Sequence, residues 1–563
     1  MIARALLLSV SALVGSSLAY AQEDHSHASP TAHSRLGSVV FANSGSRAAQ
    51  ADFLRGVALL HSFEYYDAAK AFKAAQNADP DFALAYWMEA LTYRHPLWGQ
   101  EDLDAARAAL ASLGPSTKAR LARAKTPRER SYGAAVEALF AEGAEVDRAR
   151  GFAEGMHKVA ETYPSDLEAS AFAALASLGL WAQLPRAQGG AQVEDAIRYA
   201  QRVFASNAKH PGASHYLIHA YDDPSRAERG LPFAREYAQI APDAEHAVHM
   251  PSHIFLQVGL WNDVVASNER AWAASRAWVA RNNMPTTRSD FHSLTWLQYA
   301  YIQQGRYRAA RGLIDTLRVL FHGVDFGNQF SDAAMVGPDL IFQYRLASGD
   351  WSEINLPSAG RQDDRHSPRA VGFTSTMLLE QAIATAMRGD SANARSLVTR
   401  IQSRADSGLA AQYGRTSFTI GLNIANALIA KNSGDTTKAI ELLRAAGDLE
   451  AKTSPAGPPY LPPALEVLGT TLLGAGRPQE AIAAFTKELE LRHNRSESLL
   501  GLARARLAAG DSKGAVEAYL KLLVNWKNAD PGLPALAEAK GVVHGVSARS
   551  CAKECSPEDS SLR

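Results

Sequence analysis

Six histidines, His210, His215, His219, His246, His249 and His253, fall within 44 residues of a 563-residue chain that carries 17 in all. Neutral imidazole is a common metal ligand, and the register of these residues suits coordination better than their number does. His215 and His219 are four residues apart, as are His249 and His253, and the second pair follows the first by 34 residues. Four residues along a helix brings two side chains onto one face. The residues inside each pair differ, Tyr216-Leu217-Ile218 against Met250-Pro251-Ser252, so the histidines alone coincide. Proline inside a helix removes a backbone hydrogen bond, so the second pair is expected to straddle a helix start at Pro251. Helices that pack about 8–10 Å apart could bring four imidazoles onto one ion at roughly 2.0–2.1 Å per bond.

Other residues share the register. His246 precedes the second pair, and His292 takes the corresponding place one repeat later, with Asp290 beside it. Asp222 lies one helical step beyond His219; His61 and His95 are again 34 residues apart, with Glu64 one turn past His61. An all-imidazole site favours a divalent transition metal, zinc, copper, iron or nickel, over magnesium or calcium. If Asp222, Glu245 or Asp290 joined it, an open iron or zinc centre would be the more natural reading. His157, His322, His366, His493 and His544 lack partners in this register and read as surface or capping residues. The chain has no His-Glu-x-x-His, no Gly-x-Ser-x-Gly elbow, no Gly-x4-Gly-Lys-Ser/Thr phosphate loop and no Cys-x-x-Cys-His haem attachment.

The elements that must hold these residues read as helical pairs. Glycines with a small or apolar residue five positions on recur at Gly259, Gly305, Gly349, Gly389, Gly434, Gly476 and Gly510, spaced by 46, 44, 40, 45, 42 and 34 residues. Each suits the turn of a helical hairpin. Leu313, Leu317 and Leu320, or Leu465, Leu468 and Leu472, repeat at helical spacing, and alternating strands are not apparent. Ala68-x3-Phe72 with Pro80, Ala481-x3-Phe485 and Ala515-x3-Tyr519 fit the second half of a 34-residue unit. In these motifs the chain resembles the tetratricopeptide repeat superfamily, closely over 50–81 and 462–528 and more loosely between. The resemblance implies an all-α solenoid of antiparallel helix pairs whose first helices line a concave groove, which would place His246, His249 and His253 in that groove. The strings from His215 to Pro224 and from His249 to Phe255 resemble those of a branch of exported bacterial tetratricopeptide proteins. That likeness implies fold and export and adds no reaction.

Composition bounds the partners. Lys plus Arg and Asp plus Glu are each 58, so no basic excess is available for nucleic acid or anionic lipid. With 47% hydrophobic residues the chain can bury a large core, and two cysteines exclude a disulfide scaffold. Residues 1–21, with Arg4, an apolar run and Ala19-Tyr20-Ala21, read as a signal peptide for the periplasm or secretion, with no membrane insertion after cleavage. A flexible Ser- and His-rich segment containing His25, His27 and His33 is expected over 22–48, and the main array over 49–351. A polar loop at 352–372, further hairpins to 451, a proline-rich linker at 452–463, a separate C-terminal block at 464–540 and a polar tail at 541–563 complete the layout. Cys551 and Cys555 would form a local disulfide in that tail. Two functions fit: an exported repeat protein holding a transition metal in a His-lined groove, for hydrolysis or oxidation, or a non-catalytic scaffold whose groove takes a peptide or partner protein.

Overall fold

Helix Tyr65–Ala78 shows how the pattern becomes structure. Ala68, Ala71, Phe72 and Ala75 recur at helical spacing and are all buried, so one face of the helix leaves water against the preceding helix Gln50–His61. The two are joined by a tight turn in which Glu64 N–H donates to Leu59 O at 3.0 Å and Phe63 N–H to Leu60 O at 3.1 Å. This pattern needs a left-handed residue after the helix. At the seven recurring glycines it is met with φ between +66° and +85°. At the first hairpin it is met by Phe63, at φ +58°.

The computed structural model describes residues 35–185, 188–324, 326, 332–356, 368–405, 415–453 and 456–554. The expected signal peptide, His25, His27, His33, His366 and Cys555 lie outside the described residues. Residues 35–563 form one unit, an all-α repeat fold of tetratricopeptide-like hairpins in which successive helices pack pairwise. Among the described residues the only strands are a two-residue ribbon, Arg94–His95 against Gln100–Glu101. No described helix is long and apolar enough to cross a membrane.

Three boundaries differ from the sequence reading. The expected flexible segment is anchored from Arg35 onward: Phe41 is buried against Phe53, Tyr132 and Phe172, and Ser38 N–H donates to Lys209 O at 2.9 Å. Leu36 is buried in the same core and Val39 packs against it. The polar loop gives way to a helix at Pro368, where proline suits a first turn. The expected tail from 541 continues helix Pro534–Glu554, because Leu536, Ala539, Val542 and Val543 lie at helical spacing against the C-terminal core.

The C-terminal block also docks back on earlier turns. His493, expected to be a surface or capping residue, donates from Nδ1 to Gln257 O, at the end of a helix, at 2.8 Å, and Asn494 donates to Gly259 O at 2.9 Å. Ser496 N–H donates to Gln303 Oε1 at 2.8 Å, and Asp530 N–H to Gly305 O at 3.0 Å. A methyl group on Gly259 would meet Asn494 Cβ at 2.4 Å, on a residue whose φ is +71°. Gly259→Ala should therefore cost about 2 kcal/mol through backbone strain and lost docking. Urea unfolding would show it as a lower midpoint; an unchanged midpoint would count against the docked arrangement.

Candidate metal centre

Helix Pro211–Tyr221 begins with proline at its first turn, where the missing N–H goes unneeded. His215 and His219 follow on one face, and their Nε2 atoms lie 3.1 Å apart. The second pair meets the difficulty posed by Pro251 in a simple way. Helix Glu245–His249 ends, Met250 keeps helical angles, and Pro251 opens helix Pro251–Gln257. His249 and His253 therefore keep one helical face across the junction, with Nε2 atoms 3.2 Å apart. Two nitrogens bound tetrahedrally to one ion would sit about 3.3 Å apart.

A single four-imidazole site was expected; the structure instead sorts six histidines into threes. His215, His219 and His246 form one group and His249, His253 and His292 another, each with one donor atom per residue within 4.8 Å of the others. His215 and His249 are fully buried, while His292 is exposed at the edge.

The outer ring nitrogens decide what the inner ones can do. His215 Nδ1 lies 2.6 Å from His61 O, and a carbonyl only accepts, so Nδ1 carries the proton. His249 Nδ1 lies 2.6 Å from Asn268 Oδ1, and Asn268 Nδ2 donates to Val264 O at 2.8 Å, which fixes the amide the right way round. His253 Nδ1 lies 2.7 Å from Asp222 Oδ2, whose other oxygen accepts from Gln257 at 2.9 Å. His249 and His253 thus hold their Nδ1 protons outward, and their Nε2 atoms face each other at 3.2 Å. His246 Nε2 is buried in the first group without a hydrogen-bond partner. Burial pushes His215 down to about 3, and pushes His219, His246 and His249 well below the usual imidazole range, with neighbouring imidazoles adding to the effect. These rings stay neutral, the form that binds metal.

A third group contrasts with these. His61 and His210 direct Nε2 at the two oxygens of Glu168, at 2.8 and 3.0 Å, and all three residues are buried. Here an N–H fills each gap, so the geometry is that of hydrogen bonds and leaves no pair of donors for an ion. Tyr216 OH lies 2.7 Å from His61 Nδ1 and donates to it. His61 underpins the groove: its carbonyl orients His215.

The other expected groove residues take supporting places. Asp222 orients His253, and Asp290 caps helix Phe291–Gln303 through the His292 and Ser293 N–H groups at 3.0 and 3.3 Å. Glu64 accepts from His246 N–H at 3.1 Å. Burial raises Glu64 to about 7 and Glu245 to about 9, with repulsion from nearby carboxylates adding to it. His95 stacks on Tyr65 at 3.9 Å, away from both groups of three. His157, read as a surface residue, meets Ser177 Oγ at 2.8 Å between helices.

Residues that the sequence did not single out complete the site. Phe63 places its ring 4.3 Å from His215, 5.8 Å from His219 and 5.5 Å from His246. A left-handed aromatic residue is costly, and here the turn aims the ring at the first group. Trp296 lies 4.4 Å from His253 and 5.1 Å from His249, and Trp98, 45% exposed, lies 5.4 Å from His246. Phe63 had one signal: it occupies the turn position that glycine holds in seven later hairpins. Asn268 and Glu168 had none, being a helical asparagine and a helical glutamate among many.

No family model and no curated protein matches the chain. Solved structures are matched over most of the chain at low superposition scores. The TPR domain of P58(IPK) is 14% identical, covering 83% of this chain and 99% of that one with a TM-score of 0.20. The APC/C hetero-tetramer Cut9-Hcn1 gives 13%, 88%, 96% and 0.27 in the same order. The human IFIT1 dimer with m7Gppp-AAAA gives 13%, 87%, 92% and 0.34. At scores this low the fold rests on the chain's own helix pairs, and nothing about ligands carries over.

Proposed function

We propose that this protein binds transition-metal ions on its two histidine trios and presents them, with open coordination positions, to a small substrate. The observation that carries this reading is the meeting of the His249 and His253 Nε2 atoms at 3.2 Å, with both outer nitrogens committed as donors. Two neutral imidazoles so arranged repel each other, and a cation between them turns the repulsion into two bonds. Outer-shell acceptors that fix ring orientation are the usual accompaniment of metal-bound histidine. Three protein ligands per ion would leave a position for substrate or water. Export through the leader read in residues 1–21 belongs to the same proposal.

Metal content of the purified protein tests it, against a His219→Ala, His253→Ala double variant checked for retained helicity by circular dichroism. The expected result is a transition metal in the parent protein and its loss from the variant. Equal, substoichiometric metal in both would overturn the reading and leave the groove as a scaffold for a peptide or partner protein.

A further inference from the structure

We propose that the two trios act as one dinuclear copper centre that binds dioxygen as a bridge between the ions. This rests on the metal-binding reading and goes beyond it in number, metal and ligand. The closest approaches between the trios fall within the range of separations inside them. The His219 and His253 rings, one from each trio, are 5.7 Å apart, and His246 and His249 are 6.0 Å apart. Within the trios the ring separations run from 4.7 Å, between His249 and His292, to 6.4 Å, between His219 and His246. Ions seated on the two sets of nitrogens would therefore lie within reach of a shared small ligand, as in two-metal sites whose ions are about 4 Å apart.

The donor set selects the metal. Both trios consist of imidazole alone; Asp222 is turned to His253 Nδ1 and Gln257, Asp290 to the helix cap and Glu64 to a backbone N–H, and Glu245 joins neither group. Paired iron or manganese sites in helical proteins are built with several glutamates, which this site does not offer as ligands. Imidazole suits copper and zinc, but two zinc ions would bring four positive charges onto six imidazoles beside Phe63 and Trp296. Two Cu(I) ions bring two. On meeting dioxygen each Cu(I) gives up one electron, becoming Cu(II), and O2 becomes peroxide bound to both ions, with no proton moved. The centre carries two positive charges before the step and two after it. A site with aromatic walls, where uncompensated charge is costly, is suited to a reaction that leaves its charge unchanged. The exposed edge at His292 provides the entrance.

The experiment loads the full-length protein with Cu(I) under nitrogen, counts bound copper, and then admits air. Two coppers per chain are expected, with an intense near-ultraviolet peroxide-to-copper absorption and no Cu(II) paramagnetic resonance signal, because the two spins couple through the bridge. His292→Ala, at the exposed edge, should retain the fold and the first trio, lose the absorption and, after oxidation, show a Cu(II) resonance. Two coppers per chain that give a full uncoupled Cu(II) signal in the parent protein would overturn the dinuclear centre while leaving metal binding in place. A lack of copper, with zinc or nickel bound instead, would overturn the choice of metal and the redox step. If none of these metals binds, the metal-binding reading itself falls.

Discussion

Asp222→Asn lowers metal affinity at the second trio by about 10- to 100-fold while the helices stay folded. Asp222 holds two donors at once, His253 Nδ1 at 2.7 Å and Gln257 Nε2 at 2.9 Å. An amide of the same size has one oxygen and one NH2, so one of the two donors must face another donor. If the loss falls on His253, the ring moves its proton to Nε2, and the lone pair facing His249 disappears. Competition against a chelator measures the affinity, and nitrogen-15 spectra of the metal-free protein report which His253 nitrogen carries hydrogen. A merely structural aspartate would shift the melting temperature and leave that tautomer unchanged. Unaltered affinity together with an unaltered tautomer would refute the assigned role.

Glu168→Gln destabilises the fold by about 3 kcal/mol at neutral pH, the largest loss expected outside the metal ligands. The carboxylate accepts from two buried imidazole N–H groups, and an amide would turn a donor toward one of them. Burial alone would push Glu168 up, yet His210 and His61 together hold it near 2, against an ordinary value of 4.5. A carboxylate with a depressed folded-state value stabilises the protein fully above its unfolded value and loses that contribution as pH falls toward the folded one. The parent protein should thus lose on the order of 3 kcal/mol between about pH 5 and pH 2 that the Gln variant never had. Urea titrations at pH 7, 4 and 3 would show the two stabilities converging as acid is added. A constant gap across that range would mean that Glu168 is not held ionised by its two histidines. Because His61 O is the acceptor for His215 Nδ1, the same variant should also weaken the first trio more than the second.

Much of the site was legible because helices have a fixed period. The four-residue steps from His215 to His219 and from His249 to His253 needed only that period to place each pair on one face, and both pairs close to 3.1 and 3.2 Å. Pro251 did not spoil this, since a proline that opens a helix leaves the angular register intact. The glycine series likewise marked its seven turns through one local requirement, a positive φ. Partners across the fold were another matter. Asn268 on His249 and Glu168 between His61 and His210 are ordinary helical residues until helices far apart in sequence come together. The possible additional groove carboxylates also found their roles there, Asp222 orienting His253 and Asp290 capping a helix.

Residue order settles the local features: an all-α repeat fold, hairpin turns at glycine, and two pairs of imidazoles each facing one way. Backbone period and φ restrictions act within a few residues, so residue order carries them. How those pairs divide the remaining histidines is settled by the assembled helices. His246 joins the first pair and His292 the second, making two trios where one four-ligand site was expected. That division depends on how helices Glu245–His249 and Phe291–Gln303 are seated against their neighbours. The seating is set by packing of the whole core, including Phe63 and Trp296, the latter pressed by Gly457 from the proline-rich segment. Packing sums many weak contacts between residues distant in sequence, and no periodicity records that sum.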